Sequence, residues 1–197
     1  MTLRRLLSAL DFLHTEAGII HAGTQPRLDV ACLEDNSMLA DFAKAEVEEP
    51  NPRKKVNESR IMYKSWRFRR PARGKIYGLP ALCDFGEARI GKTQQSGPFV
   101  QPHIYRAPEI IFEMPWGSAV DIWNLAGLIW DLFEGGHLFG DIFDAKGGYD
   151  PFKHLALMVA LIGLTLSEFV KRSQTAEQYF DPSGKRPALA KVLLAWL

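Results

Sequence analysis

The sequence predicts a mainly α domain with a minor β component (α+β), and three observations carry that reading. Leu3, Leu6, Leu7, Leu10 and Leu13 recur at helical spacing, so residues 2 to 14 read as an amphipathic helix. Residues 119 to 134 are apolar on nearly every face, from Val120 through Trp123 and Leu128 to Phe133. Such a pattern predicts a helix buried on all sides. A short apolar run at 79 to 83 is too brief for a helix and reads as a buried strand that delivers Asp84 to its open end.

The remaining elements follow in order. Gly18 breaks the first helix, and Ile19-Ile20-His21 enters an extended or loop segment. Residues 36 to 46 mix apolar and acidic side chains and suggest a strand pair, 37 to 41 with 45 to 47. From 53 to 75 the composition shifts abruptly. Ten Lys or Arg face a single acid, Glu58, with Tyr63, Trp66 and Phe68 interleaved. The formal net charge is only +1, so the rest of the chain is net negative. The stripe reads first as a solvated insertion loop. A stripe crossing an acidic groove of its own domain, or an RNA-associated adaptor gripping phosphates and stacking bases, are the alternatives. Nucleic acid is not the expected partner, because no recognisable binding fold surrounds the stripe. Ser118 with Asp121 suggests an N-cap for the apolar helix, and Gly135-Gly136 its stop. Asp150-Pro151 caps and starts a further helix over 154 to 162 that Gly163 ends.

Composition bounds the class. Hydrophobic residues make up 47% and charged residues 24%, which excludes a disordered chain. With Cys32 and Cys83 alone there is no disulfide framework, which fits a reducing compartment. Asp11 interrupts the N-terminal apolar stretch without a small-residue cleavage pattern, and no run reaches the roughly 18 apolar residues of a membrane span. A cytoplasmic or nuclear protein with no membrane partner is expected.

The chemistry concentrates in Asp84-Phe85-Gly86 and Ala107-Pro108-Glu109, separated by a loop-like interval with Gly91, Gly97, Pro98 and Pro102. Together and at this distance the two motifs resemble the activation segment of protein kinases. Residues Leu10-Asp11-Phe12-Leu13-His14-Thr15-Glu16, with Gln25-Pro26, look closest to the kinases that phosphorylate Ser/Arg-rich proteins. The resemblance implies a kinase-like large lobe, with ATP and Mg²⁺ as cofactors met by Asp84, Phe85 and Gly86. Asp84 would hold the metal, weakly by itself. It implies structural anchors at Glu109, on the core, and at Asp121, whose Asp121-Ile122-Trp123 opens the lobe's central helix and bonds the backbone near His21. Arg186 is a weak candidate partner for Glu109.

The likeness fails where the reaction is performed. His21 stands, yet Gly23 occupies the place of the family's catalytic Asp, and Leu28 that of its Mg²⁺-binding Asn. Neither can accept a proton or hold a metal. Asp29 is the nearest carboxylate but lies six residues further on. His21 then reads as a packed imidazole. The resemblance runs over residues 3 to 184, in four parts. These are a helix with a degenerate catalytic loop (1–35), the basic insertion (53–75), the activation-type segment (79–109) and large-lobe helices (118–184). No Gly-rich phosphate loop occurs, so a truncated domain without the small lobe is expected. The expected function is that of a catalytically inactive fragment descended from an ATP-dependent Ser/Thr kinase. ATP and Mg²⁺ would not be bound productively, and protein partners, or a Ser/Arg-rich protein substrate, are expected. An active kinase with a truncated or misread sequence is the first alternative, the RNA-associated adaptor the second.

Overall fold

The computed structural model describes residues 2–23, 37–64, 81–97, 99–163, 167–175 and 178–179. They fall into two compact units, one formed mainly by residues 3–27 with 82–197, the other by 28–81.

In the first unit, α1 (Thr2–Phe12) buries Leu6 and Leu10, one helical turn apart, and runs into a wide π turn over Leu13–Ala17. Gly18 closes that turn in the left-handed conformation, φ 63°, where a Cβ would be strained. The chain leaves as β1 (Ile19–Ile20).

The second unit opens with α2 (Ser37–Glu48). This corrects the expected strand pair at 37–47. Ala40, Ala43, Ala45, Leu39, Lys44 and Glu48 are strong helix formers, Lys44 and Glu48 pair across one turn at 3.7 Å, and half-buried Phe42, Ala45 and Glu46 recur at helical spacing. The hairpin β2 (Arg53–Lys55) and β3 (Ile61–Tyr63) follows, antiparallel with Arg53 opposite Tyr63.

Back in the first unit, residues 81–84 form no strand, and Cys83 and Asp84 are exposed, so the buried strand expected at 79–83 is not found over its described part. Residues 79 and 80 lie outside the described residues. A tight turn over Phe85–Glu87 leads to β4 (Arg89–Ile90), which pairs antiparallel with β1. Next comes β5 (Thr93–Gln94), then α3 (Pro108–Ile111), then β6 (Trp116–Gly117), which pairs with β5. A Cβ on Gly117 would lie 2.9 Å from the Lys92 carbonyl oxygen, so only Gly permits that approach. Helix α4 (Ala119–Glu134) ends at Gly135, φ 70°. Helix α5 (Pro151–Ile162) starts at Asp150, whose carboxylate accepts from Phe152 N at 2.9 Å and Lys153 N at 3.2 Å. A short α6 (Ser167–Val170) follows.

Two expectations for α4 are corrected. The Ser118 side chain makes no capping bond. The helix also buries one face only, with Val120, Asp121, Asn124, Leu125 and Leu128 inside and Ile122, Leu132 and Phe133 at least half exposed. Among the described residues the core has two clusters. One joins Ile111, Phe112 and Met114 to Phe139, Ile142 and Leu155. The other joins Ile20 and Ala22 to Val100, Ala107, Ile110, Trp116 and Val120, and Trp123 packs on both.

Candidate active site

The site is built around a buried carboxylate. Asp121, in the first turn of α4, has no solvent exposure. Its Oδ2 accepts from His21 N at 2.8 Å and its Oδ1 from Ala22 N at 2.8 Å. His14 Nε2 lies 2.8 Å from Oδ2. A carboxylate without water persists only with its lone pairs filled, and here one backbone turn and one imidazole fill them. The turn is tight enough to put Ala22 at φ 56°, which costs an L residue about 1–2 kcal/mol. Burial of Ala22 in the second core cluster and the bond to Asp121 hold it there.

His21 transmits this anchorage. Its Nε2 sits 3.0 Å from the Cys83 carbonyl oxygen, and its Nδ1 accepts from Gly23 N at 3.3 Å. Those partners fit the tautomer with the proton on Nε2. Its ring meets Phe85 at 4.9 Å between centroids. His21 thus joins the 21–23 turn to the Asp84-Phe85-Gly86 corner, and it is 1% exposed. Asp84 itself is exposed at φ 65°, a region Asp tolerates better than most side chains.

Gly23, Asp84, Glu87 and the stretch 99–102 line a cleft of about 250 Å³. A Cβ on Gly23 would lie 3.4 Å from Glu87 Cβ. The structure therefore brings Gly23 and Asp84 to one cleft, whereas Leu28 lies outside the described residues. Two carboxylates, Asp84 and Glu87, border the cleft, and Glu87 already pairs with Arg89 at 3.3 Å. Among the described residues no group of three or more His, Cys, Asp or Glu could hold a metal ion. A Mg²⁺ would therefore find one uncommitted carboxylate, Asp84, and would need phosphate oxygens for the rest of its shell.

Glu109 is half-buried in α3. Burial pushes its carboxyl above the usual range, opposed by a backbone hydrogen bond and the Arg172 guanidinium. Arg172 is thus the cation that acts on Glu109 among the described residues, and Arg186 lies outside them.

A second network, absent from the sequence reading, fixes the loop between Asp84 and Glu109. Gln101, at φ 68°, donates through Nε2 to Val120 O at 2.9 Å and Asn124 Oδ1 at 2.7 Å. Its Oε1 accepts from Ala107 N at 2.9 Å. The buried Arg106 donates to Val100 O and Gln101 O, both at 3.2 Å. Its guanidinium lies 4.6 Å from the Phe99 ring centroid and 4.5 Å from that of Tyr149. Nearby, burial and then the charges of Arg106 and His103 push His154 down to about 3. Burial above all raises Tyr149 to about 12. Tyr105 bonds Asp131, whose Oδ2 is also 2.7 Å from His137 Nδ1. Only the non-Gly residues at positive φ hint at this geometry, and φ is not visible in a sequence.

No family model matches the chain. Curated relatives do. A serine/threonine protein kinase of Aspergillus fumigatus is 41% identical over 183 residues, covering 93% of this chain and 42% of the relative. The serine/threonine-protein kinase SRPK of Physarum polycephalum is 28% identical, covering 98% of this chain and 48% of its own length. The probable serine/threonine-protein kinase sky1 of Dictyostelium discoideum is 44% identical over 108 residues, 55% of this chain and 16% of that protein. The chain spans less than half the length of these relatives. With the Asp84 corner, the Asp121 anchor and the Glu109 segment in one unit, these similarities support a protein kinase domain related to the SR kinases. Among the described residues, no helix is long and apolar enough to cross a membrane.

Proposed function

We propose that this chain is a protein-kinase-type module that does not transfer phosphate and serves by binding. The observation that supports the reading is Gly23. It borders the same cleft as Asp84, at the place where resemblance puts the proton-accepting Asp, and it brings no acceptor of its own, while the neighbouring Glu87 is paired with Arg89. Leu28 adds the loss of a metal ligand by the same resemblance. Losing a positioned base typically costs two to four powers of ten in rate, roughly. Mg²⁺-ATP, when bound, would supply the γ-phosphoryl group. Asp84 would hold the metal, while His21 and Asp121 would keep the Asp84 corner in place. The ancestral reaction on this reading is phosphorylation of Ser in Ser/Arg-rich proteins, and the partners are proteins of that kind.

The test is a phosphotransfer assay of the 197-residue chain with radiolabelled ATP and a Ser/Arg-repeat peptide, alongside an Asp84→Asn variant. Incorporation at background in both supports the proposal. Incorporation that Asp84→Asn abolishes overturns it. Equal incorporation in both marks a contaminating kinase and leaves the chain inactive. The second reading, an active Ser/Thr kinase within a longer protein, draws on the retained Asp84, Glu109 and Asp121. For it, ATP turnover by the longer protein would have to depend on Asp84.

A further inference from the structure

The basic stripe is absorbed by neither reading above, and residues 53–64 of it form a β-ribbon. The β2–β3 ribbon is closed by Val56 N donating to Arg60 O at 2.9 Å and Lys64 N to Pro52 O at 2.9 Å. Asn57 Oδ1 fixes its turn by accepting from Ser59 N at 3.0 Å and Ser59 Oγ at 3.1 Å. Arg53, Lys54, Lys55, Arg60 and Lys64 are all exposed on this ribbon, against one acid, Glu58. Among the described residues none of the five cations is in an ion pair. None of the carboxylates in or beside α2 reaches them: Glu48 pairs with Lys44, Glu46 accepts from Asn51 N at 3.1 Å, and Asp41 and Glu49 form no ion pair with the ribbon.

The register sorts the side chains. Residues directly opposite in an antiparallel pair share a face, and successive residues alternate. Arg53 with Tyr63 and Lys55 with Ile61 therefore occupy one face, and Lys54 with Met62 the other. On the first face two cations two residues apart, about 6.8 Å along the strand, stand beside a Tyr ring that is 58% exposed. Cations outside any ion pair on one face of a ribbon and an accessible aromatic beside them are the two parts of a single-strand binding surface. The cations track the backbone phosphates and the ring stacks a base.

We propose that the 53–64 ribbon binds single-stranded nucleic acid, with Arg53 and Lys55 on successive phosphates and Tyr63 stacked on a base. A partner held by charge alone, such as an acidic peptide, would use the cations and ignore the ring.

The test is fluorescence anisotropy of the 197-residue chain with a fluorescein-labelled 12-nucleotide oligouridylate at 50, 100 and 200 mM KCl. About three phosphate contacts predict a log–log salt slope near −2, roughly a twenty-fold loss of affinity across that range. The double variant Arg53→Gln/Lys55→Gln should flatten the slope by about 1.4. Tyr63→Ala should weaken binding about five-fold or more with the slope unchanged, and Tyr63→Phe should restore it. Lys44→Gln, outside the ribbon, should bind as the parent does. All four positions are exposed, and unchanged far-UV circular dichroism shows each variant folded. No binding by the parent, a double variant with the parent's slope, or a Tyr63→Ala variant with the parent's affinity overturns the proposal. So does displacement of the RNA by polyglutamate at equal charge concentration, which would mark a site for any polyanion.

Discussion

Replacing Asp121 by Ala exposes how much of the site rests on one carboxylate. The side chain is wholly buried and holds His21 N and Ala22 N at 2.8 Å each, with His14 Nε2 at the same distance. Alanine leaves both backbone donors buried without an acceptor, and each such group costs about 1–3 kcal/mol. The sum is about 4 kcal/mol, a large share of the roughly 5–15 kcal/mol that holds a domain together. For a chain of this size it lowers Tm by about 8–16 °C. Asp121→Asn keeps one oxygen but turns an NH₂ toward the other donor, so about half that loss is expected. Two measurements check the account: urea unfolding of parent and variants, and hydrogen exchange at the amides of His21 and Ala22. Protection at those amides should fall in Asp121→Ala more than at the amides of α5, which is capped independently by Asp150. A Tm within about 2 °C of the parent, with protection unchanged, would refute the reasoning, because the two donors would then have found other acceptors at no cost.

Three further outcomes are expected. Gln101→Glu keeps the acceptor for Ala107 N but faces Val120 O and Asn124 Oδ1 with a carboxylate, so it should lose about 2–3 kcal/mol by urea unfolding. Gly127→Ala places a Cβ 2.8 Å from Tyr105 Cδ1, and overpacking of about 1–3 kcal/mol should outweigh the roughly 1 kcal/mol that Ala contributes to a helix, a small net loss in the same assay. His154, held down to about 3 by burial, binds its proton in the unfolded chain first, near 6.5. Stability is therefore full above about pH 6.5 and falls as pH drops toward 3, by about 1–2 kcal/mol at pH 5, and His154→Gln should remove that part of the slope.

What the sequence made legible was whatever has a local cause. Helices α1, α4 and α5 stand near their expected places because leucine spacing, Gly18, Asp150 and Gly135 act within a turn or two of the residues they punctuate. Helix α2 was misread because its apolar face is thin, and strong helix formers with one Lys44–Glu48 pair left no clear period. Burial of α4 was overstated because periodicity reports how apolar a face is, not whether another element covers it. The Ser118 cap fails for a local reason: Ser118 itself is helical, at φ −59° and ψ −17°, and Asp121 N donates to its carbonyl oxygen at 3.1 Å, while the Asp121 carboxylate turns to His21 and Ala22. Gln101 and Arg106 could not be found at all. Their partners, Val120, Asn124, Phe99 and Tyr149, converge only once the chain has folded.

Asp121 and Gly23 lie close in space yet answer to different constraints. A buried carboxylate that satisfies two backbone donors and an imidazole cannot be exchanged without loss of stability, whatever the cleft does. His21 is bound in the same way, through Asp121 on one side and Cys83 and Phe85 on the other. Position 23 differs. It is half-buried at the edge of an open cleft, its amide bonds only its own loop, and its nearest prospective side-chain neighbour is the exposed Glu87. On the reading proposed above, a carboxylate there would do little for folding and everything for proton acceptance, so a glycine in its place leaves the fold intact. The carboxylates that a domain needs in order to stand are the last to be informative about whether it still reacts.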